Sequence, residues 1–318
     1  MTDFLPLVSI AIPTYNRANG YLRQAIQAAL NQSYPEIDII VSDNCSSDNT
    51  EEVVRGFADP RIRYFRHSAN IGANNNFNFC LEQARGSYFL LLQDDDLIDS
   101  DFIDVCMRAA CANGDAGIIR TGLRVIDSQG DVLYETPNNV GGLSIDEFFR
   151  GWFAGRTPMH LCSTLFHTMR LREIGGFRSQ HNLFQDVIAE VRLASKFGRA
   201  DVQAIKASFR KHAGEMTFAA KVSDWCEDSV QLLDVLCELA ENRAVIRDEG
   251  LRFFSKLNYG RAMAVRTSFK RYALYFLVFR KFKYRYPPSR AYLLDPIYQM
   301  LQGTPLYHGL RFIKRKLT

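Results

Sequence analysis

Three consecutive carboxylates, Asp94-Asp95-Asp96 behind Gln93, directly follow the apolar run Tyr88-Phe89-Leu90-Leu91-Leu92. Like charges this close repel and raise one another's pKa unless a cation neutralises them. Oxygen-rich clusters of this kind suit Mg²⁺ or Mn²⁺, held by one or two carboxylates together with substrate phosphates. The other reading is a solvated acidic loop that also caps a helix beginning near Ser100. Three further polar clusters stand behind apolar runs: Pro13-Thr14-Tyr15-Asn16-Arg17, Ser42-Asp43-Asn44 and Asn70-Ile71-Gly72. Any one alone reads as a turn. Four in succession carry side chains suited to base, ribose and phosphate. Neither G-x-G-x-x-G after the first strand nor G-x-x-x-x-G-K-[ST] occurs, so phosphates would have to be held through a metal.

The elements that must position these clusters alternate strand and helix over the first ~120 residues, which predicts an α/β fold with a mainly parallel sheet. Strands are expected at Leu7 to Ile12 (ended by Pro13), Ile37 to Val41, Ile62 to Phe65, the run before the carboxylates, Gly117 to Arg120 and Cys162 to Phe166. Helices are expected at Tyr21 to Asn31, after an N-cap at Thr50, and at Phe77 to Ala84, Phe102 to Ala112, Ile145 to Trp152 and Phe184 to Phe197. Ser128-Gln129-Gly130-Asp131 has hairpin chemistry. After His212 the pattern is almost wholly helical, with a boundary near residues 216–222. In such a sheet, ligands bind at the carboxyl ends of the strands, which is where all four polar clusters fall.

At 318 residues and 47% hydrophobic content the chain can bury a large core. No run approaches the ~20 apolar residues of a membrane span; Tyr272 to Phe279 has eight. The first apolar stretch reads as a strand, so export is not expected. Seven cysteines with no C-x-x-C pair fit reduced thiols in a cytosolic compartment. The net charge of +4 hides an asymmetry: residues 247–318 hold 16 Lys/Arg against 3 Asp/Glu, together with 15 of the 39 aromatics. That is the composition of helices lying on an anionic membrane surface, or of a helical subdomain whose cations are solvated. Nucleic acid is not expected, because no recognition motif accompanies the charge.

The segments Val8 to Arg17, Val41 to Thr50, Asn70-Ile71-Gly72 and the Asp run together resemble the family 2 glycosyltransferases with a GT-A fold. Ile174-Gly175-Gly176-Phe177, Gln185-Asp186, Arg192-Leu193-Ala194 and Arg210-Lys211-His212 follow in the family's order. The resemblance covers about residues 5–217, leaving 218–318 as a helical, basic and aromatic extension. It is nearest in kind to enzymes that build bacterial O-antigens and capsules, abequosyltransferase-like members included, in which Asn76-Phe77 follows the Asn70-x-Gly72 pair.

The resemblance implies roles. Pro13, Thr14, Tyr15, Asn16 and Arg17 would line a nucleotide pocket. Asp43 would accept a hydrogen bond from a uracil or thymine ring N–H, unless it only caps its turn. Gly72 would admit the nucleotide's approach, with Asn70, Asn75 and Asn76 nearby. Gln93 stands where many members have the first Asp of D-x-D, so Asp94 is assigned to the ribose, Asp95 to the metal, and Asp96 to the metal or its support. His212 would complete the metal site, or be structural. Asp186 would be the base that takes the acceptor's proton, with Glu190, one turn along, in reserve; the alternative is that Asp186 caps its helix. The implied reaction is inverting, metal-dependent (Mn²⁺ or Mg²⁺) transfer from a UDP- or dTDP-sugar to a saccharide acceptor. The implied acceptor is a lipid-linked polysaccharide precursor on the cytoplasmic face of a bacterial membrane, with the sugar and acceptor pockets in loops such as Asn138 to Pro158. Gln93 and Gln185 in place of carboxylates keep a nucleotide-sugar-binding protein without turnover as the second reading.

Overall fold

A computed structural model of the 318-residue chain describes residues 5–114, 116–156, 158–212, 220–265 and 268–288. Part of the expected domain boundary and the basic tail beyond residue 288 lie outside these described residues. Two compact units emerge: residues 1–178 with 185–215, and residues 179–184 with 216–318.

The first unit runs β1 (Val8–Thr14), α1 (Leu22–Leu30), β2 (Ile37–Asp43), α2 (Thr50–Arg55), β3 (Ile62–Arg66), α3 (Ala73–Gln83), β4 (Tyr88–Leu91), β5 (Leu97–Ile98) and α4 (Phe102–Ala112). It continues with β6 (Ile118–Ile126), β7 (Val132–Thr136), α5 (Ile145–Phe153), a 3₁₀ turn at Leu161–Ser163, β8 (Thr164–His167), α6 (Thr168–Glu173), α7 (Gln185–Phe197) and β9 (Arg199–Arg210). One mixed sheet has the order β3-β2-β1-β4-β8-β6-β9-β5, with β7 paired to β6. The β3-β2-β1-β4 half is parallel. Its central strands are buried along their length, as expected of β-branched-rich runs covered on both faces. β8 then pairs antiparallel to both β4 and β6.

Several local expectations change. Pro13 does not end β1: pairing with β2 continues through Thr14, while the pairing to β4 has already stopped at Ala11. The missing N–H thus falls where one side of the strand has lost its neighbour. Thr50 does not cap α2 but opens it; its hydroxyl donates to Asp48 Oδ1 at 2.6 Å, and the same oxygen accepts the Thr50 N–H at 3.1 Å. The strand expected from Cys162 begins two residues later, after the 3₁₀ turn. β9, the longest strand, was not anticipated.

The second unit holds α8 (Val222–Leu239), α9 (Arg243–Met263) and α10 (Ser268–Lys281), which pack on one another. Their core includes Leu232, Leu236, Ile246, Phe254, Tyr275 and Val278.

Candidate active site

The loops after β1, β2 and β3 are hydrogen-bonded into one wall. Asn16, in left-handed backbone (φ 54°), donates its N–H to Ser46 Oγ at 2.8 Å and accepts the Ser47 N–H at 2.8 Å. Asn44 Oδ1 accepts the Ile71 N–H, and its amide donates to Asn70 Oδ1, which also accepts the Gly72 N–H. Gly72 opens α3 at φ +83°, a conformation costly for L side chains, and the space a Cβ would enter is empty. Tyr15 is exposed beside this wall.

Asp43, at the end of β2, is fully buried. Its Oδ1 accepts the Ser46 N–H at 2.8 Å, and its Oδ2 accepts the Tyr64 hydroxyl at 2.7 Å and faces Arg66 at 3.8 Å. With Ser46, Arg55 and Arg66 it lines a cavity of about 350 Å³. The carboxylate is therefore part of the wall as well as a candidate base reader. Asn76 is not brought to the wall's open side: it is buried, its Oδ1 accepts the Ser42 hydroxyl and contacts His67, and its amide donates to the Ser42 carbonyl. It ties α3 to β2.

The three carboxylates after β4 diverge, which is how the chain tolerates them in sequence. Asp94 turns toward β1, accepting the Thr14 hydroxyl at 2.7 Å, with Arg17 Nε at 3.6 Å. Burial, then the neighbouring Asp95, push it up to about 6. Asp95 Oδ2 lies 2.9 Å from His212 Nε2. Asp96 turns inward, 1% exposed, and its Oδ1 accepts the Arg210 N–H at 2.9 Å. Burial, then Asp95, hold its carboxyl well above the usual range. Asp96 thus anchors β9 through Oδ1, while its Oδ2 is buried without a hydrogen bond among the described residues. Arg210, given no role of its own beyond its place in the Arg210-Lys211-His212 motif, secures the arrangement. Its guanidinium donates to the carbonyls of Asp95 and Asp127 and to Gln24 Oε1, and it stacks 4.2 Å over Tyr21.

Among the described residues no three His, Cys, Asp or Glu side chains group to hold an ion. The Asp95–His212 pair supplies one oxygen and one nitrogen donor, a set that fits Mn²⁺ when phosphate oxygens complete it.

Asp186 lies in the first turn of α7, half-buried, its Oδ1 accepting the Val187 N–H at 2.8 Å. Burial pushes it up to about 6, a value suited to a base near neutral pH. Glu190 is fully buried, with Oε2 3.5 Å from Arg120 Nε, and burial pushes it up to about 8. The Gly175-Gly176-Phe177 turn seats against α3: the Asn78 amide bonds both the N–H and the carbonyl of Phe177 at 2.9 Å. A Cβ on Gly176 would meet Asn78 Oδ1 at 2.3 Å. His181 belongs to the second unit, where its ring contacts Glu227 at 2.7 Å.

This fold, with polar loops at the carboxyl ends of β1 to β4 and a carboxylate–histidine pair beside them, is that of the GT-A glycosyltransferases. The chain belongs to glycosyl transferase family 2, whose model matches residues 9–173. It is 36% identical over 193 residues to an uncharacterized glycosyltransferase of Rickettsia felis, covering 58% of this chain and 30% of that protein. It is 38% identical over 109 residues to the GalNAc(5)-diNAcBac-PP-undecaprenol beta-1,3-glucosyltransferase of Campylobacter jejuni, covering 33% of this chain and 35% of that protein. The chain spans about a third of the length of these curated relatives. In structure it is similar to S. aureus TarS in complex with UDP-GlcNAc, with TM-score 0.67 and 15% identity over 98% of this chain and 92% of that one. The Pyrobaculum calidifontis mannosyltransferase PcManGT, in complex with GDP-Man and Mn²⁺, gives TM-score 0.56 and 16% identity over 99% and 86%.

Proposed function

We propose that this glycosyltransferase moves a sugar from a nucleoside diphosphate donor to a saccharide acceptor with inversion, using Asp186 as base. The Asp95–His212 pair, set beside Asp94 at the strand ends, is the observation that carries the reading. Asp94, oriented by Thr14 and Arg17, meets the ribose, and the Asp43 cavity takes a uracil or thymine ring. Asp95 and His212 would hold Mn²⁺ or Mg²⁺, which when bound neutralises charge on the leaving diphosphate. Asp186 takes the acceptor hydroxyl's proton as its oxygen attacks the anomeric carbon from the face opposite the diphosphate.

The acceptor is a lipid-linked polysaccharide precursor at the inner face of a bacterial membrane. The Campylobacter relative, named for an undecaprenol-linked acceptor, supports this. So does the exposed aromatic Phe276 among the cations of α10. Among the described residues no helix is long and apolar enough to cross a membrane, so contact would be with the surface. The test is a thermal-shift and turnover screen of UDP-, dTDP- and GDP-sugars with and without Mn²⁺. Metal-dependent stabilisation and nucleotide release by one of them is expected. Stabilisation with no turnover on any acceptor would favour a binding protein instead.

A further inference from the structure

Arg120 lies on β6, fully buried, and its one guanidinium reaches several elements. Nε is 3.5 Å from Glu190 Oε2 on α7, Nη1 is 3.7 Å from Asp201 Oδ1 on β9, and Nη2 donates to the Pro158 carbonyl. Its face covers the Phe148 ring of α5, Cζ to centroid 4.9 Å. Arg199 covers the same ring at 4.5 Å and donates to the carbonyls of Val140 and Leu143 at 3.1 and 2.6 Å. Asn138 donates to the Arg120 carbonyl and to Asp201 Oδ1 at 3.1 and 3.0 Å. The excursion between residues 138 and 158 is therefore fastened at both ends, and through its helix, to a buried charge cluster that also holds α7.

Stability does not explain this cluster. Nε and Nη1 of Arg120 and both Glu190 oxygens are buried without a hydrogen bond. The Thr164 hydroxyl donates to the His160 carbonyl at 3.1 Å. An ion pair without hydrogen bonds does not recover its desolvation, and apolar side chains of equal volume hold such a core as well or better. What apolar side chains do not provide is a directional link fixing three elements in one register. Glu190 stands one helical turn from Asp186, on the same face of α7.

We propose that Arg120 is a positioning residue that couples the seating of the 138–158 segment to α7, and through α7 to the Asp186 carboxylate. This rests on Asp186 being the base. An acceptor that engages the segment thereby acts on the group that deprotonates it.

The experiment replaces both partners, Arg120→Met with Glu190→Gln, so that no buried charge is left without its counter-ion. Donor hydrolysis, with water as acceptor, is measured on whichever of UDP-GlcNAc, UDP-glucose, dTDP-glucose and GDP-mannose the wild type cleaves fastest with Mn²⁺. The expected result is kcat at least tenfold lower, donor KM within twofold, and faster hydrogen exchange in both the 138–158 amides and the first turn of α7. A kcat within twofold of wild type, exchange confined to one of the two segments, or a parallel loss of donor affinity overturns the proposal. If the double variant does not fold, Phe148→Leu replaces it, with the same kcat loss at unchanged KM expected and an unchanged kcat decisive against. A wild type that cleaves none of the four donors overturns the functional reading itself, and Asp186→Asn that is inactive beside an unaffected double variant overturns only this proposal.

Discussion

Asp95 Oδ2 and His212 Nε2 stand 2.9 Å apart although 117 positions separate them in sequence. The contact joins the loop after β4 to the residues after β9, and Arg210 holds both sides in place through the Asp95 carbonyl and the Asp96 carboxylate.

Asp95→Ala is expected to weaken Mn²⁺-dependent UDP binding by at least about 10- to 100-fold, the range already seen when only a hydrogen-bond partner of a metal ligand is lost. His212→Ala should lose less, because the carboxylate carries the charge. Calorimetric titration of UDP with and without Mn²⁺ reads both. Unchanged affinity in Asp95→Ala would move the metal role to Asp94 or Asp96.

Asp186→Asn should lower turnover by about 10²- to 10⁴-fold, the range for a general base, with donor binding preserved. Equal losses in kcat and donor affinity would instead mark Asp186 as a cap that shapes α7.

The pH dependence follows from Asp94 and Asp186, each pushed up to about 6 by burial. Below that value Asp186 keeps its own proton, so log kcat should fall with a slope approaching one. For stability the sign is opposite. A carboxyl raised by folding binds more protons folded than unfolded, so its contribution is full below its ordinary 3.8 and lost as pH rises through about 6. The metal-free protein should therefore lose melting temperature between pH 4 and pH 7 from these two groups. Asp186→Asn should flatten part of that slope; a superimposable profile would refute the assignment.

Asp43→Asn and Asn76→Ala should both destabilise the nucleotide-free protein, by about 1–3 kcal/mol each, because each breaks buried hydrogen bonds. Only Asp43→Asn should also weaken UDP binding. Chemical denaturation paired with UDP titration separates a wall residue that reads the base from one that only ties α3 to β2.

Phe276 on α10 is 61% exposed, and Arg280 follows one turn later. Phe276→Ser with Arg280→Glu should reduce sedimentation with vesicles containing phosphatidylglycerol several-fold, and added salt should do the same to wild type. Binding to neutral vesicles at equal strength would argue against a surface-charge role.

The parallel half of the sheet was legible because its strands are short runs, β-branched in β1 and β2 and aromatic or aliphatic in β4, each leading into a polar turn. α4 was legible to the residue because its apolar positions keep helical spacing. α3 begins at Ala73, four residues before the expected Phe77, since the side chain of Asn76 is occupied by Ser42 and no longer opposes the helix. β9 was invisible for a related reason. Arg199, Asp201, Lys206 and Arg210 interrupt its apolar pattern, yet each is matched by a partner: Asp201 for Arg199, Asp101 for Lys206, Asp96 for the Arg210 backbone. The buried Arg120–Glu190 pair carried no local signal either, because the partners lie on different elements. The divergence of Asp94, Asp95 and Asp96 was not legible either, because it depends on what each side chain meets.

The position of β9 has a consequence for synthesis. It enters the sheet between β6 and β5, and the residues after it supply the partner of Asp95. A nascent chain that has emerged only as far as residue 173, where the family match stops, holds the nucleotide-facing loops but has an open slot in its sheet. On the proposed roles catalytic competence would arrive late on the ribosome, and a stop codon anywhere before residue 212 yields a protein without the Asp95–His212 pair.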